Sequence, residues 1–333
     1  MRWLTDFWPT SGTDSWSRDS TVRMAELEGL ASGFQGFDPD DGSHGEAGTV
    51  SWREVLVETE ARLATAGLPA REARWIVEEA SGATSASELN ELATVRGMAR
   101  NDAMVERRLK GEPVQYVLGH WAFRTLDLMV DRRVLVPRPE TEVVAGLAML
   151  EVDRRGPGRS EEDPVLVADL GTGSGAIGLS IASERPIAQV WCVDASADAV
   201  SVARANCAGL GRPGRRVVVA EGFWFEGLPE GLAGRLDVVV SNPPYVGSDE
   251  ELPSEVVDWE PNMALFSHGD GTADLRMLVD SASAWLAPGG ALVLEMAPHQ
   301  AALMAEYARV AGYDDVVVHS DLAGRHRALV ARR

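Results

Sequence analysis

The chain has 333 residues, 45% of them hydrophobic, with 51 Asp and Glu against 31 Lys and Arg and a formal net charge of −20. That length favours two domains, and the apolar fraction is that of a globular protein. Two cysteines exclude a disulfide framework and any multi-cysteine zinc or iron–sulfur site, and the acidity argues against gripping nucleic-acid backbone by bulk charge.

Residues 1–48 are expected to be an acidic, disordered extension. They hold nine Asp and Glu against three Arg, and after residue 31 Gly, Ser and Asp dominate. Trp3, Trp8 and Trp16 are unusual in such a tail. Asp6, Asp14, Arg18 and Asp19 interrupt any signal segment, and no apolar run reaches the roughly 18 residues of a membrane span. The expectation is a cytoplasmic protein with no membrane association.

A small helical domain is predicted over 49–118. Trp52, Val55, Leu56, Thr59 and Leu63 share one helical face, which Gly67 closes, and a second helix runs from Pro69 to Gly82. Shorter helices follow at Ser87–Ala93 and Asn101–Lys110, the latter capped by Asn101-Asp102. Lys110 is the sole lysine and lies in Arg107-Arg108-Leu109-Lys110-Gly111, no phosphate-cradling loop, so a Walker-type nucleotidase is excluded. Residues 119–140 form a linker whose alternation over Phe123–Val136 predicts a β-hairpin. A helix at Glu140–Leu150 and a loop at 153–164 open the last domain, 141–333.

From Val165 strands and helices alternate. The strands are expected at Val165–Leu170, Ala188–Val193, Arg216–Val219, Leu236–Ser241, Ala291–Glu295, Asp315–His319 and His326–Ala331. The helices fall at Ala176–Ser183, Ala197–Ala208, Ala273–Leu286 and Gln300–Ala311. The fold class is therefore α/β, a doubly wound, mainly parallel sheet whose last strand is antiparallel because its connection is short.

Two motifs carry chemistry. Asp169-Leu170-Gly171-Thr172-Gly173-Ser174-Gly175 lies at a strand-to-helix junction, where glycines bare the backbone and the helix start offers free amides. Asp194, at the end of the next strand, is placed for ribose hydroxyls. Gly173-Ser174-Gly175-Ala176-Ile177-Gly178 also satisfies the dinucleotide fingerprint, so the turn alone does not separate a nicotinamide cofactor from S-adenosylmethionine. Asp169 favours the latter, because an acid there suits an ammonium better than a pyrophosphate.

The second motif is Ser241-Asn242-Pro243-Pro244-Tyr245, on the same rim of the sheet. A planar amino nitrogen is a poor nucleophile because its lone pair is delocalised. The Asn242 Oδ1 and the Pro243 carbonyl can accept its two hydrogens and aim the lone pair at a methyl group, while Pro243 and Pro244 stiffen the turn and Tyr245 offers a stacking face. Methyl transfer to a planar amino group is the reading, with Asn242, Pro243 and Tyr245 as catalytic residues.

From about residue 50 onward the chain resembles the HemK-type family of S-adenosylmethionine-dependent protein-(glutamine-N5) methyltransferases acting on peptide-chain release factors. The resemblance rests on Gly111–Gly119, Val136-Pro137-Arg138-Pro139-Glu140-Thr141-Glu142, Asp169–Gly175 and Val193-Asp194. It continues through Ser241–Tyr245, Asp258-Trp259-Glu260-Pro261, Leu286–Gly290 and Asp321–Arg325. It implies a Rossmann-like class I methyltransferase with a helical substrate-docking domain in front. By the same resemblance the cofactor site comprises Asp169, Gly171, Thr172, Gly173, Ser174, Gly175, Asp194, Trp224 against the adenine, and Asn242. Asn242, Pro243, Pro244 and Tyr245 hold the substrate glutamine, and Arg138 and Glu142 border the pocket unless they form an interdomain salt bridge. The expected partner is a release factor, met by a monomer without metal or direct nucleic-acid binding.

The chain departs from the family pattern at Phe223, where an acid usually precedes the Trp-Phe pair, at Ala122, and at Glu295-Met296-Ala297 in place of Glu-Ile-Gly. The alternative activity is N6-adenine methylation of DNA or RNA, since adenine presents the same planar amino group; the lack of a basic stripe counts against it. A nicotinamide oxidoreductase would leave Asn242–Tyr245 without a role.

Overall fold

The computed structural model describes residues 50–83, 86–91 and 98–333, and from Ser51 to Arg333 the chain is one compact unit. The acidic extension with its three tryptophans lies outside the described residues. Helices α1 (Trp52–Thr65), α2 (Arg71–Ser81), α3 (Ala86–Glu91), α4 (Met98–Leu109) and α5 (Val114–Leu118) come first. Ser51 starts α1 with a capping box, accepting from the Glu54 amide while Glu54 Oε2 accepts from its own amide at 2.7 Å. Trp52, Val55, Leu63, Ile76, Val77 and Val105 fill a core of their own between these helices. Asn101 is not the expected cap. It is buried inside α4, which begins at Met98, and its Nδ2 donates across to Thr59 Oγ1 at 3.2 Å.

The hairpin lies earlier than predicted, with β1 (His120–Phe123) paired antiparallel to β2 (Leu126–Met129). Arg124, at φ 52°, makes the tight turn. The alternation through Val130–Val136 is real burial without a strand. Asp131 accepts from the Arg133 amide and breaks the ladder, and Val130, Val134 and Val136 pack with Tyr116 instead. Helix α6 (Pro139–Arg155) starts with proline in its first turn and runs into the region expected to be loop. Arg155, at its last residue, bonds Asp237 Oδ1 at 2.8 Å, which ties that end to the sheet.

The remaining elements are β3 (Val165–Leu170), α7 (Ala176–Glu184), β4 (Ala188–Asp194), α8 (Ala197–Gly209), β5 (Val217–Glu221), β6 (Leu236–Ser241) and α9 (Ser254–Val257). After them come α10 (Ala273–Trp285), β7 (Leu286–Glu295), α11 (Ala301–Val310), β8 (Asp315–Ser320) and β9 (His326–Arg332). They build one seven-stranded sheet in the order β5-β4-β3-β6-β7-β9-β8. Strands β3 to β7 are parallel, and β9 slots antiparallel between β7 and β8, as the sequence predicts. Alternation sorts side chains to two faces. Val167, Val240, Val293 and Val330 join α6 and α7 on one side, while Leu170, Leu292, Leu294 and Leu329 join α10 and α11 on the other. The strand order reverses beside β3, which opens a crevice at the carboxyl ends of β3, β4 and β6.

Candidate active site

Both motifs meet at that crevice because register brings them level. Leu170 pairs with Val193 on one side and with Ser241 on the other, and Ser241 pairs in turn with Leu294. The next residues of the four strands, Gly171, Asp194, Asn242 and Glu295, therefore lie level at this rim, Asp194 and Glu295 as the last residues of β4 and β7. The Ser241 hydroxyl donates to the Leu170 carbonyl at 2.6 Å and fixes this junction.

On the glycine side, Asp169 is buried at the end of β3. Its Oδ2 accepts from the Thr172 hydroxyl at 2.5 Å and the Gly178 amide at 2.9 Å, whereas Oδ1 is buried with no hydrogen-bond partner. Burial pushes this carboxyl up to about 6, against the pull of those two donors, with the Asp194 charge adding to the rise. Gly171, Gly173 and Gly175 all take left-handed backbone, with φ of 69°, 54° and 88°. At Gly171 the reason is doubled, since a Cβ would also stand 3.3 Å from Cζ3 of Trp224. Asp194 accepts from the Gly173 amide at 2.8 Å through one oxygen and from the Ser196 amide at 2.9 Å through the other. It thus braces the loop while remaining half-buried. Ser174 is buried, and its carbonyl accepts from Asn206 at 2.8 Å. Trp224 lies over Gly171 at positive φ, with its buried Nε1 unpartnered, and exposed Phe223 beside it. The buried, partnerless oxygen and the bare glycine backbone fit a ligand that carries an ammonium group and a flat ring.

On the other side, Asn242 Nδ2 donates to Thr141 Oγ1 at 3.2 Å, Thr141 Oγ1 donates to Glu295 Oε2 at 2.7 Å, and the Tyr245 hydroxyl donates to Glu295 Oε1 at 3.1 Å. Glu295 is fully buried. Burial and the neighbouring Glu140 push its carboxyl up to about 7, opposed by the Thr141 bond, the Arg327 charge and the Tyr245 bond. Gln300 Nε2 holds the Tyr245 carbonyl at 2.9 Å, so the turn through buried Pro243 and half-buried Pro244 is clamped at its far end. No described residue donates to the Pro243 carbonyl.

Arg138 precedes the first turn of α6 and forms an ion pair with buried Glu260, whose other oxygen accepts from the Val136 amide at 3.1 Å. The charges that act on Arg138 include Glu140 and Tyr245, so it stands beside the acceptor cluster. Glu142 faces the hairpin turn and accepts from the Arg124 amide at 3.0 Å. Thr141 and Glu295 carry roles that sequence reasoning did not assign. The available signal was a carboxylate closing the apolar run Ala291–Leu294, a position where an unpaired charge is costly. Among the described residues no group of three His, Cys, Asp or Glu is placed to hold a metal, and no helix is long and apolar enough to cross a membrane.

Residues 160–258 match the family described as methyltransferase small domain, and residues 54–119 match the PrmC N-terminal domain. A release factor glutamine methyltransferase of Xylella fastidiosa is 44% identical over 69% of this chain and 80% of its own length. Proteins of the same name from Deinococcus radiodurans and Bifidobacterium longum are 38% and 35% identical, each over 84% of this chain and 98% of its own length. With its sheet order, its helical preface and these relatives, the chain is a methyltransferase that belongs to the release factor glutamine methyltransferase family.

Proposed function

We propose that this enzyme transfers the methyl group of S-adenosylmethionine to the side-chain amide nitrogen, N5, of a glutamine in a peptide-chain release factor. The observation that carries the reading is the level placement of Asn242 and the Pro243 carbonyl beside the Asp169–Gly175 loop. Two acceptors one residue apart match the two hydrogens of a carboxamide NH₂. Helices α1–α5 serve as the docking domain for the protein substrate, and the family names of the relatives supply the substrate class.

When bound, S-adenosylmethionine supplies an activated methyl on a sulfonium. Asp169 Oδ1 takes the ammonium, Asp194 the ribose hydroxyls, Trp224 the adenine face, and the amides of Gly171–Gly175 the remaining polar edge. Thr172 and Ser174 shape that loop. Asn242 Oδ1 and the Pro243 carbonyl hold the amide NH₂ so that its lone pair points along the breaking C–S bond, Pro244 keeps the turn rigid, and Tyr245 packs beside the carboxamide. The new N–C bond forms as the C–S bond breaks, and the nitrogen releases a proton only after it has become cationic. Most of the rate gain then comes from positioning and electrostatics. Arg138 borders the entrance through its Glu260 pair, while Glu142 holds the hairpin turn through the Arg124 amide.

The test is incubation of the enzyme with labelled S-adenosylmethionine and a release factor, followed by peptide mass spectrometry. A methyl on the glutamine of the Gly-Gly-Gln loop is the expected result. Transfer to nucleic acid alone overturns it.

A further inference from the structure

Asn242 can serve a substrate NH₂ only if its oxygen, not its nitrogen, faces the pocket. An amide side chain is nearly symmetric in shape, so packing alone does not choose between the two orientations. In this molecule the choice is made by Thr141 and Glu295, to which the sequence assigns no role in the site. Thr141 Oγ1 has one proton, and it goes to Glu295 Oε2 at 2.7 Å. With its proton spent, Thr141 can only accept from Asn242, and it does so from Nδ2 at 3.2 Å. Glu295 is fixed as an acceptor from its other side too, where the Tyr245 hydroxyl donates to Oε1 at 3.1 Å. Once Glu295 is ionised, above about pH 7, its carboxylate receives two hydroxyl protons and has none to return, so there the polarity of the chain runs one way.

We infer that Thr141 and Glu295 are positioning residues whose hydrogen-bond polarity orients the Asn242 amide with Oδ1 toward the substrate nitrogen. The inference rests on the proposed function for its catalytic consequence, but the orientation itself is a property of the free protein. Thr141 is buried in the first turn of α6 and Glu295 is fully buried at the end of β7, so water does not compete for either bond. The same relay explains why a carboxylate is kept at the foot of an apolar strand. Arg327, itself buried beside Glu295, offsets part of its charge, and Glu140 opposes it.

The hydroxyl is what the test must isolate. Thr141→Val keeps the shape and removes the relay, and Thr141→Ser keeps the relay. The expected result is that Thr141→Val lowers kcat about tenfold or more, as loss of a buried hydrogen bond at the reacting group would. KM for the release factor and cofactor affinity stay within about threefold, and Thr141→Ser stays within about threefold of wild type in all three. Equal losses in the two variants would show packing rather than polarity and overturn the inference, as would wild-type kcat in Thr141→Val. A second readout does not depend on activity. The Asn242 side-chain amide resonances, identified by their disappearance in Asn242→Ala, should shift in Thr141→Val and hold in Thr141→Ser. Unchanged resonances in Thr141→Val sink the relay. If Thr141→Val does not fold, Glu295→Gln takes its place, with lowered kcat and shifted or doubled Asn242 resonances expected and no change in either as the refutation. A wild-type enzyme that leaves release factor unmethylated refutes the functional reading, while the resonances still judge the relay.

Discussion

The two sides of the crevice are built in opposite ways. The glycine side is built on the passage from β3 into α7, with Asp194 of β4 and Trp224 set against it, and it leaves a buried carboxylate oxygen and a buried indole nitrogen without partners. The acceptor side is assembled from the first turn of α6, the loop after β6 and the end of β7, and the side chains of Asn242, Thr141, Glu295 and Tyr245 bond one another there. On the proposed reading, the first side awaits the cofactor's ammonium. The other is set before any ligand arrives, which is the condition for spending little reorganisation at the moment of reaction.

The largest effect that would test this contrast is on the preset side. Asn242→Ala should lower kcat by about a hundred- to a thousandfold, the usual cost of losing a preorganised polar group at a reacting centre. Cofactor affinity by calorimetry should change far less, and comparable losses in both would erase the distinction between the sides.

Proton linkage gives the next largest effect. Asp169 sits at about 6 against an ordinary 3.8, and Glu295 at about 7 against an ordinary 4.5. In those windows the folded chain holds protons that the unfolded chain has lost, so stability present at lower pH is given up as pH rises through about 6 and about 7. Each group accounts for up to about 3 kcal/mol. Urea midpoints from pH 4 to 8 in the ligand-free protein should show this decline, with Asp169→Asn flattening its lower part and Glu295→Gln its upper part. A single step removed by either variant would mean that the two sides titrate as one.

On the waiting side, Asp169→Asn should weaken S-adenosylmethionine binding by about ten- to a hundredfold, the range for a charge-assisted hydrogen bond, without lowering the melting temperature at neutral pH. Calorimetry and thermal unfolding check the pair of outcomes. The smallest effect is at the floor of the same side. Gly171→Ala combines a left-handed backbone with the Trp224 contact and should cost about 1–2 kcal/mol in denaturant unfolding, with a change in tryptophan fluorescence. An unperturbed emission spectrum would mean that Trp224 does not lean on that glycine.

The same contrast governs how far the site could be read in advance. Asp169–Gly175 and Asn242–Tyr245 were legible because each packs its chemistry into a few consecutive residues. The strand and helix alternation placed both on one rim. The hairpin was legible as a pattern but misplaced, since alternation continues through Val130 after the ladder has ended at Met129. Asn101 was misread because a side chain that caps in isolation can instead bond a neighbouring helix once both are buried. Arg138 and Glu142 were legible as a motif, but their partners Glu260 and Arg124 were not, being set by folds of the chain far from either.

By itself the sequence determined the sheet, its antiparallel last strand, the glycine loop and the Asn242–Tyr245 motif, because short-range sterics and apolar periodicity act within a few residues. Only the tertiary structure decided which way Asn242 presents its amide. Thr141 and Glu295 are distant in sequence from each other and polar, and in water each would be satisfied by solvent. The register that sets Ser241 against Leu294, and the burial that excludes water there, turn them into a directed pair.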